Sequence, residues 1–392
     1  MDATNPTTSS LSVLLDYYSG QKELLSEGAY QTLETTGRVA AYQKHSTISE
    51  PDFLNYLLIH RDNIGAFATY RDRLERVATA RTWLDEVITL NGTVNVVPGF
   101  DDLQERVGEA VSLSVASQLF GLTQADWMRI PEQKGAGARK TFDFEKALVG
   151  ITESNAVIQI EAKGTFVNDN RIGQPNVYSH ANNIREKKLN IKAAGDDYQH
   201  PATAFYGMIV SVDHVNPAKC WLLDPPPLPF EGNPRNVKIA TRLEYIAALS
   251  EMLAPQAKLP IALRESANNW RVGKGNKNVL AGFPYTTANY VEHFLAKNKL
   301  WLAEQDVVGE VFVGETGNAF FLGIDGELIR EAIRQDGDRI VNLRYSPTVE
   351  IVTVFEEPRN IQSWTKGERQ QFRLQLFKSS SGVVIGLPQE KK

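Results

Sequence analysis

One cysteine, Cys220, is all that the 392-residue chain contains, which leaves no partner for an intrachain disulfide and no cysteine cluster for a structural zinc site. Long apolar runs are missing too: no stretch of about 18 consecutive apolar residues occurs, so no segment reads as a membrane span. The N-terminal MDATNPTTSS has no basic segment leading into an apolar one and does not read as a secretory signal, so a reducing cytoplasm is the expected location. The six histidines never fall at HExxH or HxxxH spacing, which argues against a zinc enzyme. Gly273-Lys274-Gly275 lacks the spacing and the hydroxyl residue of a nucleotide phosphate loop. An excess of basic charge is also absent: the formal net charge of −5 excludes a protein that coats nucleic acid through bulk basicity.

What is present is an ordinary globular composition, 42% apolar and 23% charged, over a length that suits two or three folding units. Charge is uneven, however. Residues 134 to 192 hold ten Lys or Arg against six Asp or Glu, so the middle of the chain is locally basic.

Residues 1–92 read as a helical region, most clearly at 70 to 90, where Leu74, Val77, Leu84, Val87 and Ile88 recur at helical spacing before Asn91-Gly92. Arg71, Arg73, Arg76 and Arg81 on that helix alternate with acids and read as a solvated face. A second helix over 102 to 120 is apolar on two sides and therefore buried. Two strand-like segments, TFDFEKALVGI and NAVIQIEAKG, follow as a hairpin, then a helix from about Ser179 to Ala194, then strands at 205 to 212 and 220 to 223. This order, within 93–224, is an α/β core with a mixed sheet flanked by helices. Prolines 225, 226, 227 and 229 with Gly232-Asn233-Pro234 form a stiff connector. Beyond it, 236–392 reads as an α+β domain: helices at 236 to 253, about 287 to 303 and 327 to 335, with a strand pair around Glu315-Thr316-Gly317-Asn318.

The chemistry sits at the end of NAVIQIEAKG. Alternation puts Glu161 and Lys163 on one face of that strand and Ala162 on the other. A turn at about 153 and 154 sets opposite each other residues whose numbers sum to 306 or 307, placing Asp143 beside Lys163 and Glu145 beside Glu161. Carboxylates so gathered repel one another unless a cation neutralises them, and a divalent ion does so. Magnesium takes a few carboxylate oxygens, water and substrate phosphate oxygens, and a lysine beside the bound water helps to orient it and to stabilise the phosphorane. Four acid-x-lysine triplets occur in the chain, but Glu132, Glu186 and Glu390 begin theirs in loop, helix and tail, and only Glu161-Ala162-Lys163 ends an apolar strand.

This pattern resembles the PD-(D/E)xK superfamily of restriction-endonuclease-like nucleases, over residues 100 to 223. The resemblance implies a Mg2+-dependent endonuclease, with Mn2+ able to substitute, acting on nucleic acid and by expectation on DNA, in restriction, phage defence or repair. It implies Asp143 and Glu161 as metal ligands, Lys163 as the catalytic lysine and Glu109 on the preceding helix in support. His180, Arg185, Lys188 and Lys192, on the helix after the triplet, become expected nucleic-acid contacts. A homodimer or a subunit of a defence complex fits the same resemblance. Phe142 stands where the family often has proline, Glu145 competes with Asp143 for the hairpin position, and Pro51-Asp52 has no acid-x-lysine strand behind it. The alternative from another class is a nucleic-acid-binding or assembly subunit that keeps the fold without catalysis. Cys220, six residues after His214, reads as a buried thiol and not as a nucleophile.

Overall fold

The computed structural model describes residues 9–18, 35–60, 101–130, 144–148, 156–167, 175–200, 202–212, 216–223, 233–253, 257–275, 300–302, 306–313, 319–356 and 370–388. Among these residues the protein is an α/β structure with two sheets. The first is built from β1 (Ser10–Tyr17), β2 (Thr47–Ser49), β3 (Trp127–Arg129), β4 (Phe144–Leu148), β5 (Ala156–Phe166), β6 (Ala204–Val212) and β7 (Ala218–Leu223), in the order β2-β1-β7-β6-β5-β4-β3. It is mixed: β5 runs parallel to β6 and β1 parallel to β7, while the other neighbours are antiparallel.

Helices cover both faces, and the period-two pattern of the strands shows why. From β5, Ile158, Ile160 and Ala162 join a buried cluster with Val107, Val111 and Val115 of helix α3 (Asp101–Phe120), whereas Val157 joins another with Val177, Ala181, Ile184 and Ile191 of helix α4 (Pro175–Ala194). Strand β6, buried at every position, has no polar face because it is covered on both sides. The crossover β5-α4-β6 is what parallel neighbours require. Helices α1 (Thr35–Gln43) and α2 (Glu50–Asn55) pack on the outer side of α3, which explains why α3 is apolar on two sides.

Glycine sets the distance between α3 and the sheet. A Cβ on Gly108 would stand 2.3 Å from the Cα of Gly164, so the two backbones touch where β5 follows its Lys163.

The second sheet is antiparallel throughout: β8 (Leu300–Leu302), β9 (Val307–Val313), β10 (Ala319–Asp325), β11 (Thr348–Glu356), β12 (Gln370–Lys378) and β13 (Val383–Pro388), in the order β11-β12-β13-β10-β9-β8. Helices α5 (Pro234–Leu253), α6 (Lys258–Arg271), α7 (Gly326–Arg334) and α8 (Gly337–Asn342) complete this half. One buried cluster reaches from Leu11 to Ile385 and so includes residues of both halves. Charge fastens the same junction: Asp126, fully buried, accepts from Arg242 of α5 at 2.6 and 2.9 Å, and Arg242 also donates to the Ile340 and Leu343 carbonyls at 2.6 and 2.7 Å.

Two sequence expectations need correction. Residues 1–92, read as helical, contribute strand β1 to the main sheet, because Leu11, Val13, Leu15 and Tyr17 alternate and are buried against it. Leu300–Leu302, placed at the end of a helix, is strand β8 paired with β9. The helix expected at 70 to 90, the proline connector and the turn at 315 to 318 lie outside the described residues.

Three substitutions test this packing. Gly108→Ala must push α3 off the backbone of β5 and is expected to cost about 2 kcal/mol or more in urea unfolding. Gly37→Ala in α1, whose Cβ would meet nothing within 4 Å, is expected to be neutral or stabilising by up to about 1 kcal/mol. Arg242→Met takes the guanidinium from the buried Asp126 carboxylate, which keeps its bonds from Thr123 and has Lys238 at 3.8 Å, and unfolding should show a loss of about 3 kcal/mol or more. A wild-type midpoint in either destabilising variant would refute the corresponding contact.

Candidate functional site

Strand β5 delivers Glu161 and Lys163 to the face beneath α4, since Ala162 between them belongs to the opposite core. On β6, Gly207 lies beside Glu161 and Ile209 beside Lys163. The missing side chain at Gly207 matters, because a Cβ there would come within 2.8 Å of Ile184 on α4. The helix therefore sits low over the sheet, and Lys187, about one turn beyond Ile184, reaches β5.

The result is a buried carboxylate between two cations. Glu161 has no exposed surface, and its Oε1 accepts from Lys163 at 2.6 Å and from Lys187 at 2.5 Å. Its Oε2 is also buried but has no hydrogen-bond partner. A buried carboxylate is tolerated only when compensated, and here both cations crowd onto one oxygen while the other stays open. Gln159, two residues earlier on the same face, is used differently: its carbonyl oxygen accepts from Tyr198 at 2.8 Å and its amide donates to the His200 carbonyl.

His180, seven residues before Lys187 on the same helix flank, lies close enough to sense the Lys163 charge. Burial first, and the Lys163 ammonium second, hold its imidazole below the usual histidine range. Of the other expected nucleic-acid contacts, Arg185 and Lys192 are exposed and Lys188 partly so. Lys187 was not among the expected contacts. Its one sequence signal is its place three residues after Ile184 and four before Ile191, both on the buried stripe of α4.

Glu109 is buried on α3, one residue from the Gly108 contact with Gly164. Helix α3 covers the face of the sheet opposite to the one that Glu161 and Lys163 share with α4. Asp143 lies outside the described residues. The β4–β5 register corrects the expected pairing: Phe144 stands opposite Ile160 and Glu145 opposite Gln159, so paired numbers sum to 304 and not to 306 or 307. The ladder closes at Leu148 and Ala156, about a centre at 152, earlier in the chain than the turn assumed from the sequence. Glu145 is therefore not the neighbour of Glu161.

The other candidates have structural roles. Burial pushes the Cys220 thiol up, which leaves no thiolate to act as a nucleophile, and His214 lies outside the described residues. Asp52, preceded by Pro51 at the start of α2, accepts from the Ser380 amide at 2.7 Å and ties the β12–β13 turn to that helix. Gly273, in left-handed conformation, ends α6.

Among the described residues no group of three or more His, Cys, Asp and Glu side chains converges as a metal site. The open Glu161 Oε2 is nevertheless the kind of hard oxygen donor that Mg2+ or Mn2+ accepts. No helix among the described residues is long and apolar enough to cross a membrane. No family model matches the chain, and neither a curated protein nor a solved structure matches it.

The His180 environment has a measurable consequence. Its folded-state pKa lies below the unfolded value near 6.5, so the unfolded chain binds more protons as acidity rises. Stability is unaffected above that pH, falls as pH drops below it, and levels off once the folded state also protonates. Urea unfolding between pH 7.5 and 5.5 should show this loss, and His180→Asn should reduce it; an equal slope in the variant would refute the assignment. His200, lowered by its own burial, adds a slope of the same sign, and the carboxyls of Glu50, Asp52 and Glu350, raised by burial, oppose it.

Proposed function

We propose that the protein is a metal-dependent nuclease that hydrolyses phosphodiester bonds, with DNA as the expected substrate, at a centre formed by Glu161 and Lys163. The observation that carries this reading is the Glu161 carboxylate: buried, held through Oε1 by Lys163 and Lys187, and open at Oε2. Supporting it is the order of elements, α3, a β-hairpin, α4 and further strands in a mixed sheet with a helix on each face, which is the order implied by resemblance to PD-(D/E)xK nucleases.

On this reading Glu161, with Asp143, would hold Mg2+ or Mn2+, while Glu109 belongs to α3 on the other face of the sheet and is left out of the metal site. A metal held there would supply a more acidic bound water and neutralise phosphate charge. Lys163 holds its ammonium at the mouth of the site, partly exposed, where it orients the attacking water and stabilises the charge that develops on the phosphoryl oxygens. His180, largely uncharged near neutral pH, adds no further positive charge to those of Lys163 and Lys187. Arg185, Lys188 and Lys192 supply phosphate contacts along α4, which suits a chain whose net charge is negative overall and basic only here. Restriction, phage defence and repair are the roles this activity would serve, in a homodimer or a defence complex.

The second reading, a nucleic-acid-binding or assembly subunit without catalysis, is favoured by the same ion pairs: Lys163 and Lys187 already neutralise Glu161, as they would in a purely structural cluster. Supercoiled plasmid separates the two. Cleavage with Mg2+, abolished by EDTA and reduced at least about a hundredfold in Glu161→Gln, Lys163→Ala and Asp143→Ala, is the expected result. Salt-sensitive DNA binding with no nicking, unchanged by Glu161→Gln, would establish the second reading instead.

A further inference from the structure

Helix α4 has two flanks, and the Glu161 cluster uses only one of them. Lys187 reaches Glu161 on β5, and His180, seven residues earlier, lies on the same side. Tyr178 belongs to the opposite flank, where Arg185 and Lys192 follow at seven-residue intervals, each about 10 Å further along the axis. That flank faces β1, which lies on the other side of β6 from β5. Tyr18, just after β1, donates its amide to the Leu222 carbonyl at 3.0 Å, and burial first and the neighbouring Tyr178 hydroxyl second hold its own hydroxyl above the usual range. Between α4 and β1 comes β7. Its Trp221 stands beside Ile209 of β6 and packs on the α4 side of the sheet, with the Lys219 ammonium 3.8 Å from the centre of its ring.

Exposure and charge say what this flank can hold. Tyr178 is 62% exposed, the one aromatic side chain among the described residues that is mostly in solvent, and Leu189, between Arg185 and Lys192, is 59% exposed. Helix α4 carries four cations against a single acid, Glu186, in a chain whose net charge is −5. A ring in solvent and a row of cations match the two parts of a single strand of nucleic acid, whose bases offer π faces and whose backbone offers phosphates. In a duplex those faces are already stacked on one another, so the Tyr178 ring gains nothing there. We propose that this flank of α4, with the adjoining part of β7, binds single-stranded DNA, an unpaired base stacking on Tyr178 while Arg185 and Lys192 hold phosphates. The proposal rests on the reading above only for nucleic acid as the substrate, and it requires no metal at Glu161. Lys219, anchored to Asp16 at 3.6 Å, supplies the cation of the facing wall. Tyr178 and His180 both sit in the first two turns of α4, so a strand stacked on Tyr178 rounds that end of the helix to reach Lys163, whose charge His180 senses.

Three fluorescein-labelled probes test this: a single-stranded thymidine oligonucleotide, the same strand without its bases, and a duplex of equal length. Each is titrated with the full chain in EDTA, which prevents cleavage, and read by fluorescence anisotropy. Wild type should bind the thymidine strand about tenfold more tightly than the abasic strand, the contribution of one stacked base, and more tightly than the duplex. Tyr178→Ala should lose that tenfold preference, and Tyr178→Phe, which keeps the ring, should retain it. Affinity for the abasic strand should be the same in all three proteins. Arg185→Gln should weaken binding of both single strands and reduce the salt slope by about 0.7, one phosphate contact. Far-UV circular dichroism confirms that each variant is folded. DNA binding that favours the duplex, or a thymidine preference unchanged in Tyr178→Ala, overturns the single-strand surface and leaves the nucleic-acid reading standing. Binding of none of the probes by the folded wild type overturns both, and leaves a protein as the occupant of this face.

Discussion

The contact on which the site depends most is the meeting of two backbones at Gly108 and Gly164. A single methyl group at Gly108 would overlap the Cα of Gly164, so α3 can lie at this depth only because neither residue carries a side chain. That depth fixes two things together. It buries the apolar stripe of α3 against Ile158, Ile160 and Ala162, and it holds the end of β5 from below just after Lys163. From above, the gap at Gly207 lets α4 down onto the same strand. Glu161 and Lys163 are thus clamped between two helical layers, each set by a missing side chain, and pre-organised geometry of this kind suits a site that must hold charges in place.

This clamp is supported by a second set of contacts further along the chain. Asp126 follows α3 and is pinned by Arg242 from α5, which in turn gathers the carbonyls of Ile340 and Leu343. Beside it, Asn55 donates to Tyr245, Ser379 and Ser381 at 3.0 to 3.3 Å, and Tyr245 donates to Gln124 at 2.7 Å. These buried polar groups come from α2, the turn after α3, α5 and the β12–β13 turn. A network of this kind is specific because each member left unpaired is costly, so it sets how the C-terminal half is placed on α3.

Much of this architecture was legible where the cause is local. The alternation of NAVIQIEAKG fixes which residues share a face, and the two-sided apolar pattern of α3 announces a helix with neighbours on both sides. What was not legible has tertiary causes. The hairpin register was misplaced because it depends on the length of the connection, and moving the turn centre from about 153 to 152 re-pairs every residue of the ladder. Lys187 was missed because its contact is set by a glycine twenty residues away on another strand. Strand β1 was the avoidable error, since Leu11, Val13, Leu15 and Tyr17 alternate openly.

The cluster also reverses the charge balance that the triplet suggested. The sequence implied carboxylates in excess, held apart until a cation arrives. The described side chains instead place one carboxylate against two ammonium groups, with His180 held toward its neutral form, so that part of the site is positive before anything binds. A positive pocket attracts phosphate and repels a bare divalent ion. On the proposed reading, metal and nucleic acid would then assist each other, since phosphate oxygens offset the positive charge that opposes the metal. Such coupling is reciprocal by thermodynamic necessity, whichever arrives first. Lys187, which the acid-x-lysine triplet does not contain, contributes as much to that positive charge as Lys163 does.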